Sequence, residues 1–332
     1  MSFRICCGAH SFLNGGTEMA VEKGNLKSRY IGGMIGSALG DAIGELAFRY
    51  RKKKPLCDCL DRLERLIYTD DTAMAIGLAE SIIKVKGIDQ NHLGETFRAN
   101  YEREPWRGYA MGPPTIFSMV KGSGVSYVEA ARALFGGAGS LGNGAAMRIV
   151  PLGLFFHKSS ELYDMACASA EVTHAHPVGK DGAAVQARAV ALAVRLGQEK
   201  EFPVEDFIQD LIKFAKTSEI RKKMVLVQEM VREDLPPHIA ADRIGRSVEV
   251  DKSMPFAIYS FLRHPKSFKD CLFCAVLNGG DRDTLGAMAC GISGAYLGIE
   301  AVPLSWKEKL ENGFYIGKLA SSLLEVQLVS MH

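Results

Sequence analysis

From Ser28 onward the chain repeats apolar residues at intervals of three and four, as in AMAIGLAESIIKVKG (73–87), VSYVEAARALFG (125–136), GAAVQARAVALAVRLGQ (182–198), VEDFIQDLIKFAKTSEI (204–220) and RKKMVLVQEMVRE (221–233). That period lines one face of an α-helix with apolar side chains. Alternating Val, Ile and Thr segments, the mark of half-buried strands, are nearly absent. The pattern predicts an all-α protein. Pro-Pro pairs at 113 and 236 punctuate it, because proline restricts the residue before it and donates no amide hydrogen bond. No repeat of about 30 to 45 residues and no Pro/Ser-rich linker divides the chain, so residues 28–332 read as one domain. Residues 1–27 show no clear period and carry a second Met at 19, which predicts a loosely held N-terminal extension.

Two of the predicted helices carry small residues every fourth position: Gly32, Gly36, Gly40 and Gly44 in the first, Gly286, Cys290, Gly294 and Gly298 in the last. A glycine inside a helix costs about 1 kcal/mol relative to alanine. Such a stripe is best explained by close backbone packing, here of the two helices against each other, which would bring Asp41 near Asp281.

Composition narrows the function without naming it. With 40 Lys plus Arg against 38 Asp plus Glu, the net charge of +2 gives no general basis for binding nucleic acid or an anionic membrane. The longest uncharged stretches, such as Leu285–Ile299, fall short of the roughly 18 to 20 apolar residues of a spanning helix. The first residues lack the long apolar segment of a secretory signal, so a cytoplasmic protein is expected. Eight cysteines, scattered singly or in close pairs, read as reduced, small buried side chains; a zinc site from Cys57, Cys59, Cys271 and Cys274 is disfavoured, since the sequence between them belongs to other motifs.

The chemistry concentrates in four segments. Tyr68-Thr69-Asp70-Asp71-Thr72 and Gly279-Gly280-Asp281-Arg282-Asp283-Thr284 each stand just before a predicted helix. N-capping accounts for one or two such residues, but not for adjacent carboxylates between threonines. Gathered in one place, Asp70, Asp71, Asp281 and Asp283 would repel strongly; two divalent cations would balance them, and all-oxygen ligands select Mg²⁺ or Mn²⁺ over zinc. The glycine-rich run Gly136–Arg148 offers backbone N–H groups to phosphate oxygens. No Lys-Ser or Lys-Thr follows it, as a Walker loop requires, and a predicted helix rather than a strand precedes it, which argues against a dinucleotide-dependent oxidoreductase. Thr173-His174-Ala175-His176-Pro177 suits the lining of a polar ligand site better than a metal site, because no third nitrogen or sulfur ligand is nearby.

Taken in order, TDDT, RGY, GSLGNGAAMR, TH and GGDRDT, opened by the GGMIGSALGDAIGE helix, resemble the ADP-ribosylglycohydrolase family, with matches from Ile31 to about Pro303. The resemblance implies an all-α orthogonal multi-helix bundle with a dinuclear magnesium cleft. It implies hydrolysis of the N- or O-glycosidic bond at the distal ribose of ADP-ribose, with ADP-ribose or an ADP-ribosylated protein as the partner and a monomer as the working form. Carried over by position, it puts metal ligands at Thr69, Asp70, Asp71, Asp281, Asp283 and Thr284, with Asp70, Asp71 and Asp283 also catalytic. Ser140, Gly142, Asn143, Gly144 and Met147 match the loop that cradles the diphosphate and ribose, and His174 matches a phosphate-side histidine. Arg107-Gly108-Tyr109 looks most like the substrate-binding segment of the branch acting on serine-linked and O-acetyl-ADP-ribose.

Three positions depart from the family pattern. Phe48 stands where many relatives carry glutamate, seven residues after the Asp of the GD motif, and Glu45, one turn earlier, is the nearest acid to supply the gating or proton-accepting carboxylate. Arg282 occupies the centre of the DxDT motif, either to hold a leaving group or to pair with a neighbouring acid, and Ala110 follows Tyr109 where some relatives have glycine. The alternative within the family is a non-catalytic ADP-ribose-binding member; six filled ligand positions argue against it. The acceptor linkage is not fixed by these residues.

Overall fold

The helical periodicity is realised as eighteen α-helices in a computed structural model that describes residues 12–196 and 201–330, with side chains from Asn25 onward. In chain order they are α1 (Phe12–Arg49), α2 (Lys53–Arg62), α3 (Asp70–Val85), α4 (Gln90–Arg103), α5 (Gly112–Ser123), α6 (Tyr127–Ala133), α7 (Gly144–Met147), α8 (Val150–Phe155), α9 (Leu162–Glu171), α10 (Pro177–Arg195), α11 (Val204–Phe214), α12 (Ser218–Arg232), α13 (Pro237–Ile244), α14 (Val250–Arg263), α15 (Phe268–Leu277), α16 (Arg282–Leu297), α17 (Leu304–Lys309) and α18 (Gly313–Ser330). The described residues contain no strand, only isolated bridges between Leu66 and Leu310 and between Gly142 and Glu249. Of the N-terminal extension expected at 1–27, residues 1–11 lie outside the described residues; α1 runs unbroken from Phe12.

The two glycine stripes meet. A Cβ at Gly40 would stand 2.1 Å from the carbonyl oxygen of Gly286, one at Gly36 2.6 Å from that of Cys290, and one at Gly32 2.4 Å from that of Gly294. Gly44 likewise faces the backbone of Arg282 and Asp283. The helices α1 and α16 are therefore packed backbone on backbone, and α10, α14, α15 and α18 close around the pair. Phe202, Phe207, Phe261 and Tyr296 fill part of the surrounding core with tilted and edge-on ring contacts, the geometry aromatic quadrupoles prefer.

One predicted helix is broken in two. The apolar period of 204–220 runs on past Phe214, but Thr217 ends it by capping α12, accepting the Ile220 N–H. Buried Asp181 of α10 accepts the N–H groups of Lys216 and Thr217 at 3.1 and 2.7 Å and so fixes the break. Capping satisfies donors that helix continuation would have left to the main chain. The Pro-Pro pairs do mark boundaries: the first opens α5 and the second opens α13. The six cysteines among the described residues are free, whereas Cys6 and Cys7 lie outside them, and no described helix is long and apolar enough to cross a membrane.

The stripe gives a direct test. Gly40→Ala adds a methyl against backbone that cannot swing aside, so its urea unfolding free energy should fall by about 3 kcal/mol, the upper end for overpacking. Gly33→Ala, whose Cβ would meet only side-chain atoms at 3.4 Å or more, should stay within about 1 kcal/mol of the parent.

Candidate active site

Asp41 organises the first acidic segment. It sits in the stripe of α1, fully buried, and accepts from the Thr69 N–H at 3.0 and 3.1 Å, the Thr69 hydroxyl at 2.7 Å, the Thr72 N–H at 3.1 Å and the Thr72 hydroxyl at 2.5 Å. The N-cap residue Thr69 makes no side-chain cap of its own. A carboxylate from another helix thus caps α3, and Asp70 and Asp71 are left free of that duty at its positive end.

The second segment is built the same way. Gly279 and Gly280 adopt left-handed backbone, with φ of 90° and 75°, and a Cβ on Gly280 would stand 1.9 Å from the Arg246 carbonyl oxygen. The turn delivers Asp281 to the N-cap of α16, where it too makes no side-chain cap. Its carboxylate instead accepts from the Asn143 amide at 2.7 Å, and Asp283 accepts the Thr284 N–H at 2.9 Å. Asn143 in turn is anchored through its N–H to the Val248 carbonyl, so the glycine loop and the acidic segment are hydrogen-bonded together.

His174 backs that loop. A Cβ on Gly144 would stand 2.7 Å from its ring, and one on Gly142 3.5 Å from its Nε2. Ser140 accepts the Gly142 N–H, which tightens the turn. Met147 is buried in the core. Behind them the fully buried Arg148 donates to the Gly144 and Ser169 carbonyls and to the Thr173 hydroxyl, which lies 2.8 Å from His174 Nδ1. Thr173 accepts from Arg148, and its own proton is best placed on Nδ1, which leaves Nε2 of the neutral ring as the donor facing the loop. Burial first, and the Arg148 charge second, hold the His174 pKa down at about 3.

A cavity of ≈ 430 Å³ opens beside the acids, with Thr69, Asp70, Asp283 and Glu45 on its lining. Glu45 is exposed, and its charge reaches Asp283. No salt bridge ties it to Arg49, whose guanidinium lies over the Tyr50 ring. Phe48 does not line the cavity. Gly108, with φ of 90°, lets the chain pass Asp70: a Cβ there would be 4.0 Å from its Oδ1. Arg107 is buried, donating to Glu104, Glu311 and the Tyr68 carbonyl, and it lies 4.1 Å over the Tyr68 ring. It holds the residue that precedes Thr69. Tyr109 packs edge-on against Tyr101. Arg282 reaches away from the acids to donate to the Val276 carbonyl.

The acids are close enough to govern one another. Burial, then the charge of Asp41, raises Asp70 to about 7; burial, then Asp281 and Asp41, raises Asp283 to about 8. Asp71, wholly buried, is raised well above its ordinary value, by burial and then by all four neighbouring carboxylates. Its Oδ1 has no hydrogen-bond partner. Among the described residues no three His, Cys, Asp or Glu side chains already form a group able to hold a metal ion. The donor chemistry nevertheless suits hard cations, with carboxylate and hydroxyl oxygens only and one buried oxygen left unsatisfied. The motif reading overlooked the roles of Asp41 and Arg148. Asp41 had a visible signal, an acid inside a glycine stripe, but nothing local pairs it with threonines 28 and 31 residues away.

An all-helical body that gathers carboxylates at the starts of two helices, with a glycine loop alongside, defines the class. The chain belongs to the ADP-ribosylglycohydrolase family, whose sequence profile matches residues 22–330. It is 34% identical over 327 residues to "ADP-ribosylhydrolase ARH3" of Xenopus tropicalis, covering 86% of this chain and 91% of that one. The protein of that name from Homo sapiens is 32% identical, with 90% and 93% covered, and "Uncharacterized protein YegU" of Escherichia coli is 28% identical, with 85% and 92% covered. A solved "ADP-ribosylglycohydrolase-related protein complex" shares the fold, with a TM-score of 0.64 at 22% identity over 92% of this chain and 99% of that chain.

The raised carboxyl groups set a pH dependence. Each is ionised above its ordinary value near 3.8 in the unfolded chain but stays protonated to higher pH when folded. The folded state binds more protons in that window, and stability is lost as pH rises through it. His157 and His174, held low at about 4 and about 3, act only below their ordinary 6.5. In EDTA, the urea midpoint should therefore fall between pH 6.5 and 8, and Asp71→Asn should flatten the fall; a rising midpoint would refute the clustering.

Proposed function

We propose that the protein is a hydrolase that cleaves the glycosidic bond at the distal ribose of ADP-ribose, releasing ADP-ribose from modified protein side chains or from O-acetyl-ADP-ribose, with two Mg²⁺ ions, or Mn²⁺, as cofactors. The observation that carries this is the set of carboxyls at two helix starts, raised by burial and then by one another, with Asp71 Oδ1 buried and unpartnered. Thr69, Asp70, Asp71, Asp281, Asp283 and Thr284 would hold the ions. Such ions supply Lewis acidity toward oxygen ligands and make water more acidic.

The chain's own residues account for the rest of the reaction. Main-chain N–H groups of Ser140, Leu141 and Gly144 and the Nε2–H of His174 offer donors for the diphosphate, while the Gly142 and Asn143 N–H groups hold the turn together. Asn143 keeps Asp281 oriented, and Arg148 keeps the Gly144 carbonyl and Thr173 in place behind it. As the bond from the distal ribose carbon to its oxygen or nitrogen substituent breaks, positive charge builds on the ring, and the carboxylates of Asp70 and Asp283 face it. Water adds to that carbon and loses a proton; Glu45, exposed on the cavity wall, accepts it, and the departing group gains one.

The deciding assay offers the purified protein ADP-ribose on serine, arginine and acidic side chains, and O-acetyl-ADP-ribose, each with Mg²⁺ and with EDTA. Release of ADP-ribose only with Mg²⁺ is the expected result, whereas ADP-ribose binding without turnover would make this a binding member of the family. Asp70→Asn and Asp283→Asn should each lose measurable Mg²⁺ binding by calorimetry and lose hydrolysis, with metal-free stability unchanged or higher because one of several crowded charges is gone. Unchanged Mg²⁺ affinity in both would overturn the ligand assignment. Glu45→Gln keeps size and hydrogen bonding but accepts no proton, so turnover should fall about 10² to 10⁴-fold; near-parental turnover would move proton transfer to an aspartate.

A further inference from the structure

The cavity beside the acids has a second wall that the proposed reaction does not use. Trp106 and Ile67 stand on it, 71% and 57% exposed, which is unusual for side chains of their size. Trp106 stacks on no other ring among the described residues. Of the two cations on this wall, Arg107 is buried and committed to Glu311 and Glu104, and the exposed Arg65 is paired with Glu311. None of Ser140, Gly142, Asn143, Gly144 or His174 reaches the cavity lining, so the phosphate-binding donors serve a different side of the carboxylates.

The main chain adds an independent feature. Leu66 donates to the Lys309 carbonyl at 2.8 Å and accepts the Glu311 N–H at 2.9 Å, a single parallel bridge. Next to it, neither the N–H nor the C=O of Ile67 has a partner among the described residues. A main-chain donor and acceptor left open beside exposed apolar side chains can take an extended peptide, with main-chain bonds supplying affinity and side-chain contacts supplying choice.

We propose that Trp106 and the open main-chain N–H and C=O of Ile67 form the seat of the acceptor polypeptide: an extended segment flanking the modified residue, with an apolar side chain against the indole. The proposal rests on the glycosidase reading. What lies in this part of the cavity adjoins Asp70 and Asp283, and so is joined to the distal ribose through the bond that breaks. The consequence is a preference for ADP-ribose on a polypeptide over ADP-ribose carrying a small leaving group.

The test uses the full chain with Mg²⁺. Trp106→Ala should lower kcat/KM for a serine-ADP-ribosylated peptide at least ten-fold, through KM, while that for O-acetyl-ADP-ribose changes less than two-fold, and Trp106→Phe should restore most of the loss. By calorimetry, a carbon-linked, uncleavable ADP-ribosyl peptide should bind the parent at least ten-fold tighter than free ADP-ribose, an advantage absent from Trp106→Ala. Equal affinities in the parent, or equal losses for both ligands in the variant, would overturn the seat and leave the glycosidase reading standing. A parent that binds neither ligand overturns both.

Discussion

The backbone contact between α1 and α16 is the constraint on which the rest of the molecule depends. Where two helices approach until carbonyl oxygens occupy the space of absent side chains, neither can rotate or slide without collision. The Gly40–Gly286 and Gly44–Arg282 contacts therefore fix more than a core. They set the height at which Asp41 and Glu45 stand against the first turn of α16, and so where one half of the site meets the other.

Charge, not packing, is the unusual quantity here. Five aspartates, four of them with affinity for protons raised first by burial and, for Asp70, Asp71 and Asp283, then by one another's fields, are costly to hold together without cations. Two helix N-termini offset part of that cost through their dipoles. Asp41 is offset differently, by four donors from two threonines, which oppose the rise that burial imposes on it. It acts as structural acceptor for the segment whose other acids are kept free. Arg148 plays the complementary part on the far side: a buried cation, with its pKa drawn down to about 9 by desolvation, fastened by carbonyls and a hydroxyl instead of by an acid.

Most of the fold was legible because the helical period and the two glycine stripes are local patterns that burial converts directly into packing. The break after Phe214 was not, since the apolar period continues through it and the deciding acceptor, Asp181, lies a helix away. At the site, the structure joins the glycine loop to the second acidic segment through Asn143 and Asp281, two motifs 138 residues apart that no local pattern links. Motif resemblance was less informative about individual jobs. Arg107 sits where a substrate-binding segment was expected, yet its guanidinium is committed to two glutamates and a carbonyl. Arg282 pairs with no acid among the described residues and instead binds the end of the preceding helix. Such commitments depend on Glu311 and Val276, whose places no spacing in the sequence reveals.

The helix pair also imposes an order on assembly. Gly32 and Gly40 are made well before their partners Gly294 and Gly286, so the central contact closes a loop of 246 to 262 residues. Loop closure on that scale is slow relative to local helix formation. Until then α1 presents bare backbone and apolar side chains with no partner, and the capped segment at Thr69–Thr72 can form around Asp41 while Asp281 and Asp283 are still unmade. A chain without α16 would thus hold Asp41, Asp70 and Asp71 but neither Asp281 nor Asp283, and would lack the backbone contact that sets α1 in place.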